Sequence, residues 1–362
     1  MSSFYYDYSL LDRPRSDYLH NLSPLDIKFE KFKRLSHIMV RKYQRSKSFG
    51  SQYHKFAAYS ERMSQCSNNL VFYKDYSSKY KLLSSRFCRV RYCPICQWRK
   101  SLAWRYRFLE NEENLNNYLK SFGDITPPFL FLTLTLRNAN GYDELNWTIN
   151  TLQRGFRKLI GLGIRAKGIY SPLGWIKCLE VTRGKKDPKS YNAHIHLLLL
   201  LPPGYSPSSP DYVTQQALCE EWKGICKIDY TPSVWVELTR FSRMKLGKGS
   251  YDDGDDDDCP KKSSAKALFE VSKYMVKSDD FRKAPASWFL PLTLASYKRR
   301  FVETGGCLRD IYRLEEGNEN LINFEDVTYD DNGEPYKYSK KTDNPNIFKF
   351  RFNDLVSAYV LD

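Results

Sequence analysis

Long apolar runs are missing from this sequence. The longest apolar block, Leu197 to Pro203, falls far short of the ~18 residues that a membrane-crossing helix needs. No membrane partner is therefore expected. Residues 1–20 carry charges and tyrosines where a secretory leader would place its apolar core. A reducing, cytoplasmic setting is expected, and clustered cysteines there point to metal binding rather than disulfides. Histidine is scarce at five residues, so a close pair of them is informative. Acidic residues are in deficit, 42 against 57 Lys and Arg, for a formal net charge of +15. Six of those acids are gathered between Asp252 and Asp258, which leaves the remaining surface more basic still. The excess favours a polyanion partner, although a merely soluble basic protein would carry the same charge.

What is present is a chain able to fold. Hydrophobic residues make up 41%, which excludes disorder as the default. Tyr, Phe and Trp number 27, 21 and 7, and unpaired bases stack on such rings. There are no internal repeats. Phe29, Phe32, Leu35 and Ile38 have helical spacing near the N-terminus. Residues 129–136 alternate as a strand, with Phe131, Thr133 and Thr135 on one face and Leu130, Leu132 and Leu134 on the other. Trp147–Leu159 reads as a helix, Trp175–Thr182 and Ala193–Leu201 as strands with a hairpin-like return, and 202–210 as a loop. Tyr212–Trp222 reads as a helix, Ser233–Leu238 as a strand and Lys266–Lys277 as a helix. Strands separated by helices suit an α+β sheet covered by helices.

Three clusters carry chemistry. In Tyr191-Asn-Ala-His194-Ile-His196, strand alternation puts both imidazoles on one face, where they can chelate a divalent cation. Glu180, near the end of the preceding strand, falls opposite them if the two strands form a hairpin. Two imidazoles and a carboxylate make a facial site with open positions; a structural His pair is the plainer alternative. In Glu270-Val-Ser-Lys273-Tyr274-Met-Val-Lys277, helical spacing gathers Glu270, Tyr274 and Lys277 on one face, with Lys273 at its edge. Nearby cations favour a phenolate nucleophile, and a carboxylate one turn away can serve as general base. Cys88, Cys93 and Cys96 form a Cys-x2-Cys knuckle behind another cysteine, and Cys66 can complete a tetrahedral thiolate site for Zn²⁺. His54 is the alternative fourth ligand, and a redox Cys-x-x-Cys the alternative use. Arg89, Arg91, Arg99, Lys100, Arg105 and Arg107 surround the knuckle as candidate phosphate contacts.

The order of these motifs resembles that of rolling-circle plasmid replication initiators in the HUH endonuclease superfamily, over residues ~60–310. The motifs are Phe131-Leu-Thr-Leu-Thr-Leu-Arg137, then His194-Ile-His196, then Glu270 to Lys277. The resemblance implies an antiparallel sheet of about five strands flanked by helices, behind an N-terminal helical and zinc-binding region. It implies Mg²⁺ or Mn²⁺ on His194 and His196, and attack by Tyr274 on a scissile phosphate at the double-strand origin. A 5′-phosphotyrosine link and a free 3′-OH for a host polymerase would follow, with a host helicase as a further partner. Glu270 matches the single-Tyr branch that uses a Glu one turn earlier for termination. One departure stands out: many members write His-Pro-His before the last motif histidine, whereas Asn192-Ala193 precedes His194 here.

The expected organisation is an N-terminal helical region (1–60) and a Cys-rich, DNA-contacting zinc region (61–120). A nicking-joining domain (121–310) with an acidic insertion (247–262) and a C-terminal extension (311–362) complete it. The rival functions are a relaxase or single-strand transposase of the same chemistry, and a non-enzymatic zinc-dependent DNA-binding regulator. Oligomeric state and origin sequence have no signal in the residues.

Overall fold

The computed structural model describes residues 18–19, 27–74, 80–161, 168–239, 278–313 and 346–362. Its described elements begin with helices α1 (Ile27–Gln44) and α2 (Ala57–Ser64), then strands β1 (Asn69–Lys74) and β2 (Tyr80–Ser85). Helices α3 (Pro94–Glu110) and α4 (Glu112–Lys120) precede β3 (Phe129–Thr135), α5 (Gly141–Leu159), β4 (Gly174–Arg183) and β5 (Tyr191–Leu200). Next come α6 (Gln215–Cys226), β6 (Val234–Thr239), α7 (Ser278–Lys283), α8 (Ala286–Ala295) and β7 (Val302–Gly306). Helix α9 (Cys307–Ile311) and strands β8 (Ile347–Asn353) and β9 (Ala358–Leu361) end the chain. Two compact units form, Met1–Lys100 with Glu316–Asp362, and Ser101–Glu315.

The second unit is an α+β layer structure around a five-stranded sheet in the order β6-β3-β5-β4-β7. Every neighbouring pair is antiparallel. The expected five-stranded antiparallel sheet flanked by helices is therefore what this sequence folds into. Its central strand β5 is the most apolar: Leu197 to Leu201 are completely buried, each contributing about 2 kcal/mol by leaving water. A central strand is covered on both faces, and that is why this stretch reads as continuous rather than alternating. Helix α5 lies against one face; its buried stripe of Leu145, Ile149, Leu152 and Phe156 has the i, i+3/i+4 spacing of an amphipathic helix. Asp143 and Glu144 in its first turn and Arg157 and Lys158 in its last complement the helix dipole. Phe156 meets Trp175 of β4 edge-on at 4.9 Å between centroids.

Among the described residues, helices pack on one half of the opposite face. Trp104 and Phe108 of α3 and Leu115 and Leu119 of α4 pack there with Phe129, Ile176, Cys178, Leu198 and Leu200. The other half of that face carries the polar side chains of the site below. Helix α6 starts at Gln215 rather than Tyr212 because the Thr214 hydroxyl caps it, accepting from the Ala217 N–H at 3.2 Å.

In the first unit a four-stranded antiparallel sheet runs β2-β1-β8-β9. Strands from the two ends of the chain thus share one sheet. Helix α1 packs Phe29 and Phe32 on Trp98, with ring centroids 4.9 and 5.3 Å apart. Its buried face differs from the apolar spacing: Leu35 and Ile38 are half-buried, whereas Glu30, Lys33 and Ser36 are buried. Those charges have partners, as burial requires. Glu30 accepts from the Tyr359 N–H at 3.2 Å, and Lys33 caps the cysteine loop.

Candidate functional site

Two groups of metal-ligating side chains converge among the described residues, one in each unit. The first is built by the β4–β5 hairpin. Its register pairs Glu180 with His194 and Cys178 with His196, so the carboxylate and both imidazoles share one face. Glu180 Oε2 lies 2.7 Å from His194 Nε2 and 3.1 Å from His196 Nε2. The three ligand atoms fall within 4.8 Å of one another, and all three side chains are largely buried.

The outer nitrogens are also accounted for. His194 Nδ1 is 3.3 Å from the Asn192 carbonyl, and His196 Nδ1 is 3.0 Å from Thr133 Oγ1. Both acceptors suit the tautomer with hydrogen on Nδ1, which leaves each Nε2 lone pair aimed at the shared point. Phe131 stacks on the His196 ring at 5.8 Å and fixes its plane. Two neutral imidazoles, one carboxylate and a dry surround fit a divalent cation with open positions. Thr133, Phe131 and the Asn192 carbonyl did not emerge as site groups from sequence. Only the alternation that turns Phe131, Thr133 and Thr135 to one face hinted at two of them.

The second group is Cys66, Cys88, Cys93 and Cys96. The sulfurs of Cys66 and Cys96 are 3.7 Å apart, those of Cys88 and Cys96 3.6 Å, and those of Cys93 and Cys66 3.6 Å. A tetrahedral zinc site with bonds of about 2.3 Å separates its sulfurs by about 3.8 Å, so these four are already at ligand spacing. His54 is not among them; its Nε2 faces the Lys47 carbonyl at 3.2 Å. Burial pushes the Cys93 thiol well up, while Cys96, hydrogen-bonded to the sulfurs of Cys66, Cys88 and Cys93, is pulled down. Arg89 takes a left-handed φ of 55° where the chain turns through the knuckle.

Lys33 supports this group from helix α1. Its ammonium donates to the carbonyls of Ser64 at 2.8 Å and Cys66 at 2.7 Å, and to the Asn68 side chain. Desolvation holds its pKa below the usual lysine value, opposed by the nearby thiols. No spacing rule could have singled it out. Of the basic residues around the knuckle, Arg99 stacks on Phe87 at 4.2 Å and Arg107 on Trp104 at 4.6 Å.

A family model described as "Replication protein" (Rep_1) matches residues 79–358. The chain belongs to that replication protein family. The likeness to rolling-circle plasmid initiators, drawn from the motif order, is borne out at this level. The match reaches past the motifs into β8 and β9, farther than the ~310 expected. "Protein rep" of Bacillus amyloliquefaciens is 31% identical over 291 residues, 78% of this chain and 80% of that relative. "Protein rep" of Streptococcus pneumoniae serotype 2 is 29% identical over 285 residues, 77% and 79% of the two chains. "Protein rep" of Lactiplantibacillus plantarum is 31% identical over 259 residues, 69% and 74% of the two. No solved structure matches. Among the described residues of this replication protein no helix is long and apolar enough to cross a membrane. Glu270, Lys273, Tyr274 and Lys277, like the acidic insertion 247–262, lie outside the described residues.

Proposed function

We propose that this replication protein nicks and rejoins DNA at a plasmid double-strand origin, with Tyr274 as nucleophile and the Glu180–His194–His196 group as its metal site. The observation that supports this most is the aim of both Nε2 atoms and the Glu180 carboxylate at one point on the sheet. A divalent ion held there, Mg²⁺ or Mn²⁺, would polarise the scissile phosphate and offset charge growing on a non-bridging oxygen. The remaining work falls to the chain. Lys273 and Lys277 favour the Tyr274 phenolate, whose oxygen bonds to phosphorus as the bond to the 3′ oxygen breaks. That oxygen takes up a proton to become the 3′-OH, and the phosphotyrosine keeps the energy needed for rejoining. In-line geometry places Tyr274 across phosphorus from the leaving oxygen. Glu270 serves as general base for the hydrolytic step at termination.

The four cysteines hold structural Zn²⁺ in this reading, and the protein acts in the cytoplasm with a host helicase and polymerase. The test is cleavage of labelled single-stranded origin oligonucleotides by the purified chain with and without Mn²⁺. The expected product is a 5′-linked protein adduct that disappears on chelation and in Tyr274→Phe. Binding without cleavage at any metal concentration would instead favour a zinc-dependent regulator.

A further inference from the structure

Strand β6 lies at the edge of the sheet, next to β3. Its register sets Trp235 opposite Thr133, and Thr133 is in turn opposite His196. Directly paired residues share a sheet face, so His196, Thr133 and Trp235 form one row across three strands. Val234 is buried and ties the strand to the core, while the Trp235 indole is 61% exposed. Large aromatics are normally buried, and an exposed one beside a polar site marks a surface for binding. Two strand spacings put Trp235 roughly 10 Å from His196. At about 3.4 Å or more per nucleotide, that is the reach of a few nucleotides from a phosphate at the site.

Charge orders the rest of the row. Arg137, just past the end of β3, is exposed, and its guanidinium is held 4.1 Å over the Tyr230 ring. The Tyr230 hydroxyl accepts from the Arg137 N–H at 2.8 Å, which fixes that corner. Arg137 lies just beyond Thr135, which pairs with His194, so it offers a positioned cation at the His194 end of β3, on the same β3–β6 side of the histidines as Trp235. Glu237, opposite Phe131 and two residues beyond Trp235, is exposed and would repel phosphates. A strand crossing this face from Trp235 to the imidazoles is therefore favoured on the Arg137 side of the row and disfavoured on the Glu237 side.

Taking the triad as the nicking site, we infer that Trp235 is the stacking platform for an unpaired base a few nucleotides from the scissile phosphate. It is a positioning residue that selects single-stranded over duplex DNA at this site. Bases inside a duplex are already stacked and cannot reach the indole, whereas any unpaired base can.

The test measures binding of fluorescent single strands of roughly 12 nucleotides of mixed sequence, and of the matching duplex, to the full chain with Mn²⁺. Trp235→Ala is expected to lose roughly 10-fold in single-strand affinity, Trp235→Phe to keep most of it, and duplex binding to stay unchanged. On a cleavable strand, a single abasic position near the nick should reproduce the loss and remove any further effect of Trp235→Ala. Equal single-strand affinity in Trp235→Ala and the parent would overturn the inference. So would an equal loss on both DNAs, which would point to folding, or to another occupant such as a second copy of the chain. If the parent binds single strands through Trp235 yet never nicks, the function proposed above fails and the stacking platform stands.

Discussion

Glu180 on β4 and His194 on β5 are direct cross-strand partners, and Glu180 Oε2 lies 2.7 Å from His194 Nε2. That contact follows from the hairpin register. A slip of one residue would turn Glu180 to the α5 face and abolish the site.

The contact between Thr133 and His196 predicts a measurable effect on metal affinity. Thr133→Val keeps the shape of the side chain but removes the acceptor for Nδ1. Mn²⁺ affinity is expected to fall about 10-fold, in keeping with groups that orient a metal-bound histidine. Isothermal titration of the full chain measures it; an unchanged affinity would mean that the ring is oriented by Phe131 alone.

Cys66 and His54 make opposite predictions for zinc. Elemental analysis of the parent should find about one zinc ion per chain. Cys66→Ser should lose it, and His54→Ala should keep it, because His54 faces the Lys47 carbonyl. Since thiols must shed their protons to bind zinc, retention should also weaken as pH falls. Zinc lost from His54→Ala but retained by Cys66→Ser would reverse the ligand assignment.

Helices α5 and α6 approach closely at Gly155. A Cβ built there would sit 2.6 Å from Trp222 Cη2, and the Trp222 ring is completely buried. Gly155→Ala is therefore expected to destabilise the chain by about 1–3 kcal/mol despite the better helix propensity of alanine. Denaturant unfolding checks this. A more stable variant would mean that the Trp222 ring can move aside.

Much of the second unit was legible in sequence. Alternation marked β3, Leu197 to Leu201 marked a covered strand, and the spacing of Glu180 from His194 implied their pairing. Strand β7 was not legible. Val302 to Gly306 is short and ends in two glycines, yet Gly305 is required where Trp175 Cε2 lies 2.2 Å from a built Cβ, and Gly306 takes a φ of +57°. The first-unit sheet was also hidden: β1 pairs with β8, whose residues lie far along the chain, and no local pattern reports such a contact. Lys33 was invisible for the same reason, since its partners are carbonyls of a distant loop. The tyrosine helix was read from sequence alone and lies outside the described residues.

Glu270 and Tyr274 should separate by reaction step. Glu270→Ala is expected to keep the first cleavage and to impair the later hydrolysis, leaving adduct that accumulates; removing a general base typically costs 10²–10⁴-fold in its step. Single-turnover assays of each step measure this. Equal loss of both would assign Glu270 a structural role.

If Glu180, His194 and His196 hold a divalent cation, it should be visible directly. The most direct measurement is anomalous diffraction from crystals of the full chain grown with Mn²⁺. A manganese peak is expected about 2.0–2.2 Å from both Nε2 atoms and from a Glu180 oxygen, lost in His196→Ala. Crystals with manganese bound elsewhere and none at these three side chains would contradict it.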